Sequence, residues 1–199
     1  RVATGPNQVW AWDITYLKTS VAGIYFYLYT IIDVWSRKIV GWSIEDSENY
    51  EHSERLFKRV MKTYGLKKVF LHSDNGNPMK AGTMLMTLYK LGIIPSFSRP
   101  RVSNDNAYIE SFFKTLKYMK SYPQFFATID DAKYWVADFL DWYNDRHLHS
   151  SIAFVTPSQK HSGLADLIIA ARNEVKRKAF EEKRIRWSSK MAEIISPQI

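Results

Sequence analysis

The sequence predicts an α/β fold, a mixed five-stranded sheet with helices on its faces. Three observations predict it. Strand patterns follow one another directly at residues 9–17, 24–33 and 38–44. Two short apolar runs, 69–71 and 93–97, then alternate with helical stretches, and everything after residue 105 has helical spacing.

In the first strand Trp10, Trp12, Ile14 and Tyr16 alternate with Val9, Ala11, Thr15 and Leu17, so both faces are apolar, as in a strand covered on both sides. Asp13 stands in its middle. A carboxylate there is costly to bury unless it is paired or holds a metal; an Arg or hydroxyl partner is the plainer alternative. The second and third strands are joined by Val34-Trp35-Ser36-Arg37, which makes an antiparallel meander. Asp33 reads as a turn acid with Ser36 and Arg37 as local partners. A helix follows from Tyr50, with Leu56, Phe57, Val60, Met61 and Tyr64 as its stripe and Gly65 as its stop.

The run at 69–71 leads into His72-Ser73-Asp74-Asn75-Gly76. A strand ending in polar residues and glycine is where α/β folds place functional groups, although Asp74 equally suits an Asx turn. Asn77 and Pro78 open a helix whose stripe is Met84, Leu85, Leu88 and Leu91 and whose end is Gly92. After the strand at 93–97, Pro100 and Ser103-Asn104-Asp105 offer a break and capping oxygens. Ile109, Phe112, Phe113, Leu116 and Met119 then form one apolar stripe, and Ala107, Glu110, Lys114 and Lys117 form another, roughly opposite. Taken alone, the second stripe is a solvated face with a Glu-to-Lys pair. Thr128 and Asp131 resemble a capping box for a helix burying Ala132, Trp135, Val136, Phe139, Leu140 and Tyr143. The His147 and His149 pair beyond it has no third ligand in spacing and is not assigned to zinc. Thr156-Pro157 marks a boundary, dividing a core over 1–155 from a basic helical extension over 156–199 whose helix spans 166–183.

With 199 residues, 46% of them hydrophobic, the chain is long enough for a sizeable core. It has no cysteine, and no apolar run approaches the roughly 18 to 20 residues of a membrane span. The expectation is a cytoplasmic protein. Lys plus Arg number 28 against 20 for Asp plus Glu, a net charge of +8, which favours a polyanionic partner such as nucleic acid. The excess concentrates between Arg172 and Lys190, with eight basic and three acidic residues. The chain begins with Arg1, so it is read as a fragment of a longer protein.

Asp13, Asp74 and Glu110 are three carboxylates on separate elements of a basic chain. That donor set suits a pair of hard divalent ions, Mg2+ or Mn2+, which prefer oxygen ligands. Two such ions about 3.5 to 4 Å apart activate the attacking oxygen and stabilise the leaving one in displacement at phosphorus. Lys114 and Lys117 share Glu110's stripe and would lie along a phosphate backbone.

The runs VWAWDITYL, IIDVWSRKIVGW, HSDNG, SRPRVSNDNAYIESFFKTLK and WYNDRHLHSSI together resemble the catalytic domain of insertion-sequence transposases related to retroviral integrases, in order and over essentially the whole chain. The resemblance implies a ribonuclease-H-like fold and a metal-dependent DNA transposase, with the metal-binding carboxylates carried onto Asp13, Asp74 and Glu110. It places DNA contacts at Lys114 and Lys117, with Arg99, Arg101 and Asn106 as further candidates around a mobile loop at 95–103. It also implies transposon ends and target DNA as partners, a homodimer or higher oligomer, an upstream DNA-binding module, and a bacterial, nucleoid-associated setting. One departure from the pattern follows Gly76, where Asn77-Pro78-Met79 replace Gly, a polar residue and an aromatic. The rival readings are a non-catalytic DNA-binding or dimerisation module, and a ribonuclease H or resolvase-type nuclease on the same fold.

Overall fold

A computed structural model describes residues 2–73, 82–97 and 106–182. Strands β1 (Val9–Lys18), β2 (Tyr25–Asp33) and β3 (Ile39–Glu45) form the antiparallel meander. Strands β4 (Val69–Ser73) and β5 (Ile93–Phe97) add in parallel on the other side of β1, giving the order β3-β2-β1-β4-β5. The helices are α1 (Tyr50–Tyr64), α2 (Gly82–Lys90), α3 (Ala107–Lys117), α4 (Ile129–Asp145), α5 (Pro157–His161) and α6 (Ala165–Glu182). A 3-10 turn, Ser150–Ile152, precedes α5.

The period-two alternation of β1 sorts the core into two layers. Trp10 and Trp12, with Tyr29 and Ile31 of β2, pack against α1 and α2 through Leu56, Phe57, Val60, Met84 and Leu88. Ala11 and Leu17, with Leu28 and Ile32, pack against α3 and α4 through Ile109, Phe112, Leu116, Val136 and Phe139. Asp13 has the parity of Ala11 and Leu17, so it lies on the face that α3 covers.

The helix ends follow local chemistry. Gly65 caps α1 in the left-handed region, and the Thr128–Asp131 capping box closes the start of α4 from both sides. At α3 the expected capping oxygens, Ser103 to Asp105, lie outside the described residues. Asn106 occupies the N-cap position without a side-chain cap bond, its Nδ2 donating instead to the Trp12 carbonyl.

Two expectations are corrected. The turn acid Asp33 is fully buried and accepts hydrogen bonds from the backbone N–H of Asn7 (2.7 Å) and Ser36 (2.8 Å) and from Ser36 Oγ (2.7 Å). These donors satisfy the carboxylate inside the turn, and the Arg37 guanidinium instead lies 3.8 Å from the centre of the Tyr108 ring in α3. At Thr156-Pro157, where the sequence marks a boundary, α5 opens: Thr156 and Gln159 form a capping box, and proline at the first position gives up no bond the helix needs. Finally, α6 is not basic. Arg172, Lys176, Arg177 and Lys178 are matched by Asp166, Glu174, Glu181 and Glu182, and Arg177 bridges Glu174 (2.8 Å) and Glu181 (2.6 Å) within the helix. The excess belongs to residues 183–190, outside the described residues.

Candidate active site

β4 pairs with β1 only over Val9 to Ala11. Beyond that point, among the described residues, the edge of β1 opposite β2 has no strand partner, and its polar backbone groups need other ones. Asn106 Nδ2 donates to the Trp12 carbonyl (3.4 Å), the Ile14 N–H donates to Asp13 Oδ1 (2.8 Å), and the Phe126 N–H donates to the Lys18 carbonyl (2.9 Å). The start of α3 and the chain just beyond it thus seal this edge, and α3 packs along β1.

That packing lays the helix bearing Glu110 along the strand bearing Asp13. At about 100° per residue, Asn106, Glu110 and Lys117 fall within about 40° of one another on the wheel of α3. At the far end, the Lys117 ammonium senses the Asp13 carboxylate. Its pKa is nevertheless held below the ordinary lysine value, by burial first and by the nearby Lys18 ammonium second.

The two stripes of α3 separate as predicted: Ile109, Phe112, Phe113 and Leu116 are buried, and Glu110, Lys114 and Lys117 are exposed. Asn106 is buried, with Oδ1 lacking a hydrogen-bond partner. Asp13 is half-buried, and its cross-strand neighbour Thr30 is fully buried with an unpartnered Oγ1. Asp74, Arg99 and Arg101 lie outside the described residues, as does part of the loop at 95–103. Among the described residues no three His, Cys, Asp or Glu side chains group as a metal site, so the predicted trio is represented by Asp13 and Glu110. The β4 register, with Ala11 opposite His72, ends at Ser73, the covalent neighbour of Asp74.

The sequence pattern does not mark Tyr16 and Lys18 as site residues. Their signal is position: they continue β1 past Asp13, along the edge that β4 leaves unpaired. With Lys117, Tyr122, Pro123 and Gln124 they line an open groove of about 580 Å3.

A sheet in the order β3-β2-β1-β4-β5, with a half-buried aspartate on its central strand and a glutamate-bearing helix across it, defines a ribonuclease-H-like core. Solved structures agree on this fold. The catalytic core domain of HTLV-2 integrase in complex with magnesium superposes with a TM-score of 0.59 at 19% identity, covering 80% of this chain and 99% of that one. That of BIV integrase gives 0.60 at 18% identity, covering 79% and 95%. In sequence, residues 3–103 match a family model described as the integrase core domain, and a second model of that description matches residues 91–157. The chain belongs to the integrase core domain family. It is similar to the transposase for insertion sequence element IS904 of Lactococcus lactis subsp. lactis (strain IL1403), 33% identical over 157 residues, which cover 78% of this chain and 61% of the relative. It is also similar to transposase InsF for insertion sequence IS3A of Escherichia coli (strain K12), 30% identical over 159 residues, covering 79% and 54%. The chain therefore spans little more than half the length of these relatives.

Proposed function

We propose that this chain is the catalytic core of a DNA transposase, with Asp13, Asp74 and Glu110 as its carboxylate set and transposon ends and target DNA as its substrates. The observation that carries this reading is the hydrogen bond from Asn106 to the Trp12 carbonyl, which seats the helix bearing Glu110 along the strand bearing Asp13. Asp74 belongs to the set by its motif, following Ser73, the last residue of β4. The donor chemistry fits magnesium or manganese, because these side chains offer carboxylate oxygens and the chain has no cysteine. Two bound ions would supply Lewis-acid activation of the attacking oxygen and charge stabilisation of the leaving one.

The chain's own residues orient and neutralise. The Ile14 N–H fixes one Asp13 oxygen. Lys114 and Lys117 offer cations to the phosphates leading into the site, with Arg99 and Arg101 in the same assignment, while Asn106, the further candidate, is buried against Trp12 and positions α3. A homodimer or higher oligomer, an upstream DNA-binding module and a bacterial cytoplasmic setting belong to the same proposal. Consistent with that setting, no helix among the described residues is long and apolar enough to cross a membrane. So does the division at 155/156; His161 bonding Ser36 (2.9 Å) and Arg172 bonding the Phe154 carbonyl (2.9 Å) support an extension that docks on its own core.

The test is strand cleavage and joining on DNA with magnesium or manganese. Asp13→Asn, Asp74→Asn and Glu110→Gln should each abolish both steps while leaving the circular dichroism spectrum unchanged. Full activity in any of them sinks the assignment, and cleavage of an RNA–DNA hybrid without DNA joining would move it to a ribonuclease.

A further inference from the structure

The groove beside the carboxylates has a composition that the carboxylate chemistry does not require. Its floor runs from Tyr16 and Lys18 on the unpaired edge of β1 to Lys117 at the end of α3, and its outer wall is Tyr122, Pro123 and Gln124. Two ammonium groups converge here, and Lys117 feels both the Lys18 ammonium and the Asp13 carboxylate. Like charges gathered in this way call for an anion between them.

The remaining walls are aromatic. Tyr16 is 52% exposed although it already contacts Tyr25 (5.6 Å between ring centres) and Tyr27 (5.3 Å), so its neighbours fix the ring while leaving it open to solvent. Tyr122 is held edge-on by Phe126 (5.9 Å) and Trp135 (5.3 Å). A rigid aromatic ring beside a pair of cations is the combination that takes a nucleobase and its phosphate without reading sequence. At about 580 Å3 the groove lies within the range of small-molecule sites, roughly 300 to 1,000 Å3. It adjoins Asp13, three residues before Tyr16 on β1, whose carboxylate acts on the Lys117 ammonium that lines the groove.

We propose that this groove is a subsite for one unpaired nucleotide of the DNA strand entering the active site, with its phosphate between Lys18 and Lys117 and its base against Tyr16 and Tyr122. The inference rests on the DNA-processing reading above and deepens it: the chain engages an end that is frayed or single-stranded at this point. A base inside the duplex has both faces covered by its neighbours, so the subsite selects for a base that has left the stack.

The test uses a DNA duplex with a short unpaired tail carrying iododeoxyuridine at each tail position in turn. It is irradiated on the 199-residue chain and the adducts are mapped by peptide mass spectrometry. The subsite predicts adducts at Tyr16 or Tyr122 from one tail position. In anisotropy titrations, Tyr16→Ala and Lys18→Ala should weaken binding of the tailed duplex by about tenfold while leaving the blunt duplex nearly unaffected, and Tyr16→Phe should bind as the parent does. Adducts confined to other residues, or equal losses on both DNAs, overturn the subsite. These results are separable from the function itself: cleavage that depends on Asp13 and Glu110, without adducts at Tyr16 or Tyr122, retains the transposase reading and removes only the subsite.

Discussion

Asn106 donates its side-chain amide to the main-chain carbonyl of Trp12 across 3.4 Å, and this bond joins the helix bearing Glu110 to the strand bearing Asp13. It is a single neutral hydrogen bond, worth about 1 kcal/mol net. Its consequence for geometry is larger, because it sets the level of Glu110 along β1. Asn106→Ala should lower the melting temperature by only about 2 to 4 °C, yet reduce strand cleavage at least about tenfold, as a displacement near 1 Å does at a reacting centre. The comparison is melting against single-turnover cleavage; loss of both in proportion would make Asn106 a stability residue only.

Lys114 and Lys117 are exposed on the stripe that carries Glu110. If each neutralises a phosphate, Lys114→Ala and Lys117→Ala should each reduce the slope of log K against log salt by about 1. Affinity measured across a salt series checks this. An unchanged slope removes the residue from the DNA path.

What was legible in the sequence followed from periodicity. The alternation in β1 placed Asp13 on one definite face, and the stripe of Ile109, Phe112, Phe113 and Leu116 fixed which side of α3 Glu110 would occupy. Capping chemistry at Gly65 and Thr128 was equally readable, since those signals act within four residues. The contacts of Arg37 were not. The turn sequence offers Asp33 as its partner, but Ser36 and Asn7 satisfy that carboxylate, and Tyr108, seventy-one positions along the chain, takes the guanidinium. The groove at Tyr16 and Lys18 was hidden for a similar reason: it exists because β4 stops pairing at Ala11, a property of the strand register.

Gly92 and Gly65 both have positive φ, +75° and +61°, but their surroundings differ. A Cβ at Gly92 would stand 2.0 Å from the Lys67 carbonyl oxygen, whereas one at Gly65 meets nothing within 4 Å. Gly65→Ala should therefore cost only the conformational strain, about 1 kcal/mol. Gly92→Ala adds a backbone clash where β5 joins β4 and should cost about 3 kcal/mol or more. Denaturant melts of the two variants decide it, and equal losses would contradict the close approach at Lys67.

His149 gives the fold a sensitivity to mild acid. Its pKa is pushed down from 6.5 to about 4 by burial, with smaller contributions from the nearby His147 and Arg37 cations. Its ring meets Tyr143 edge-on, and Ser151 Oγ lies 3.1 Å from its Nδ1. The folded state holds this imidazole neutral, while the unfolded chain protonates it at the ordinary value. The unfolded state therefore binds more protons between these limits, and stability falls as pH drops from 6.5 toward 4. The effect is absent above the upper limit, where both states are neutral. Carboxylates contribute mainly below about pH 5, so the interval between about pH 7 and pH 5 reports histidines; His147, also held below its ordinary value by burial, acts with the same sign, and the His149 variant separates the two. In that interval the melting temperature of the parent should decline, and that of His149→Gln should decline less. Parallel declines in the two proteins would place the acid sensitivity elsewhere in the fold.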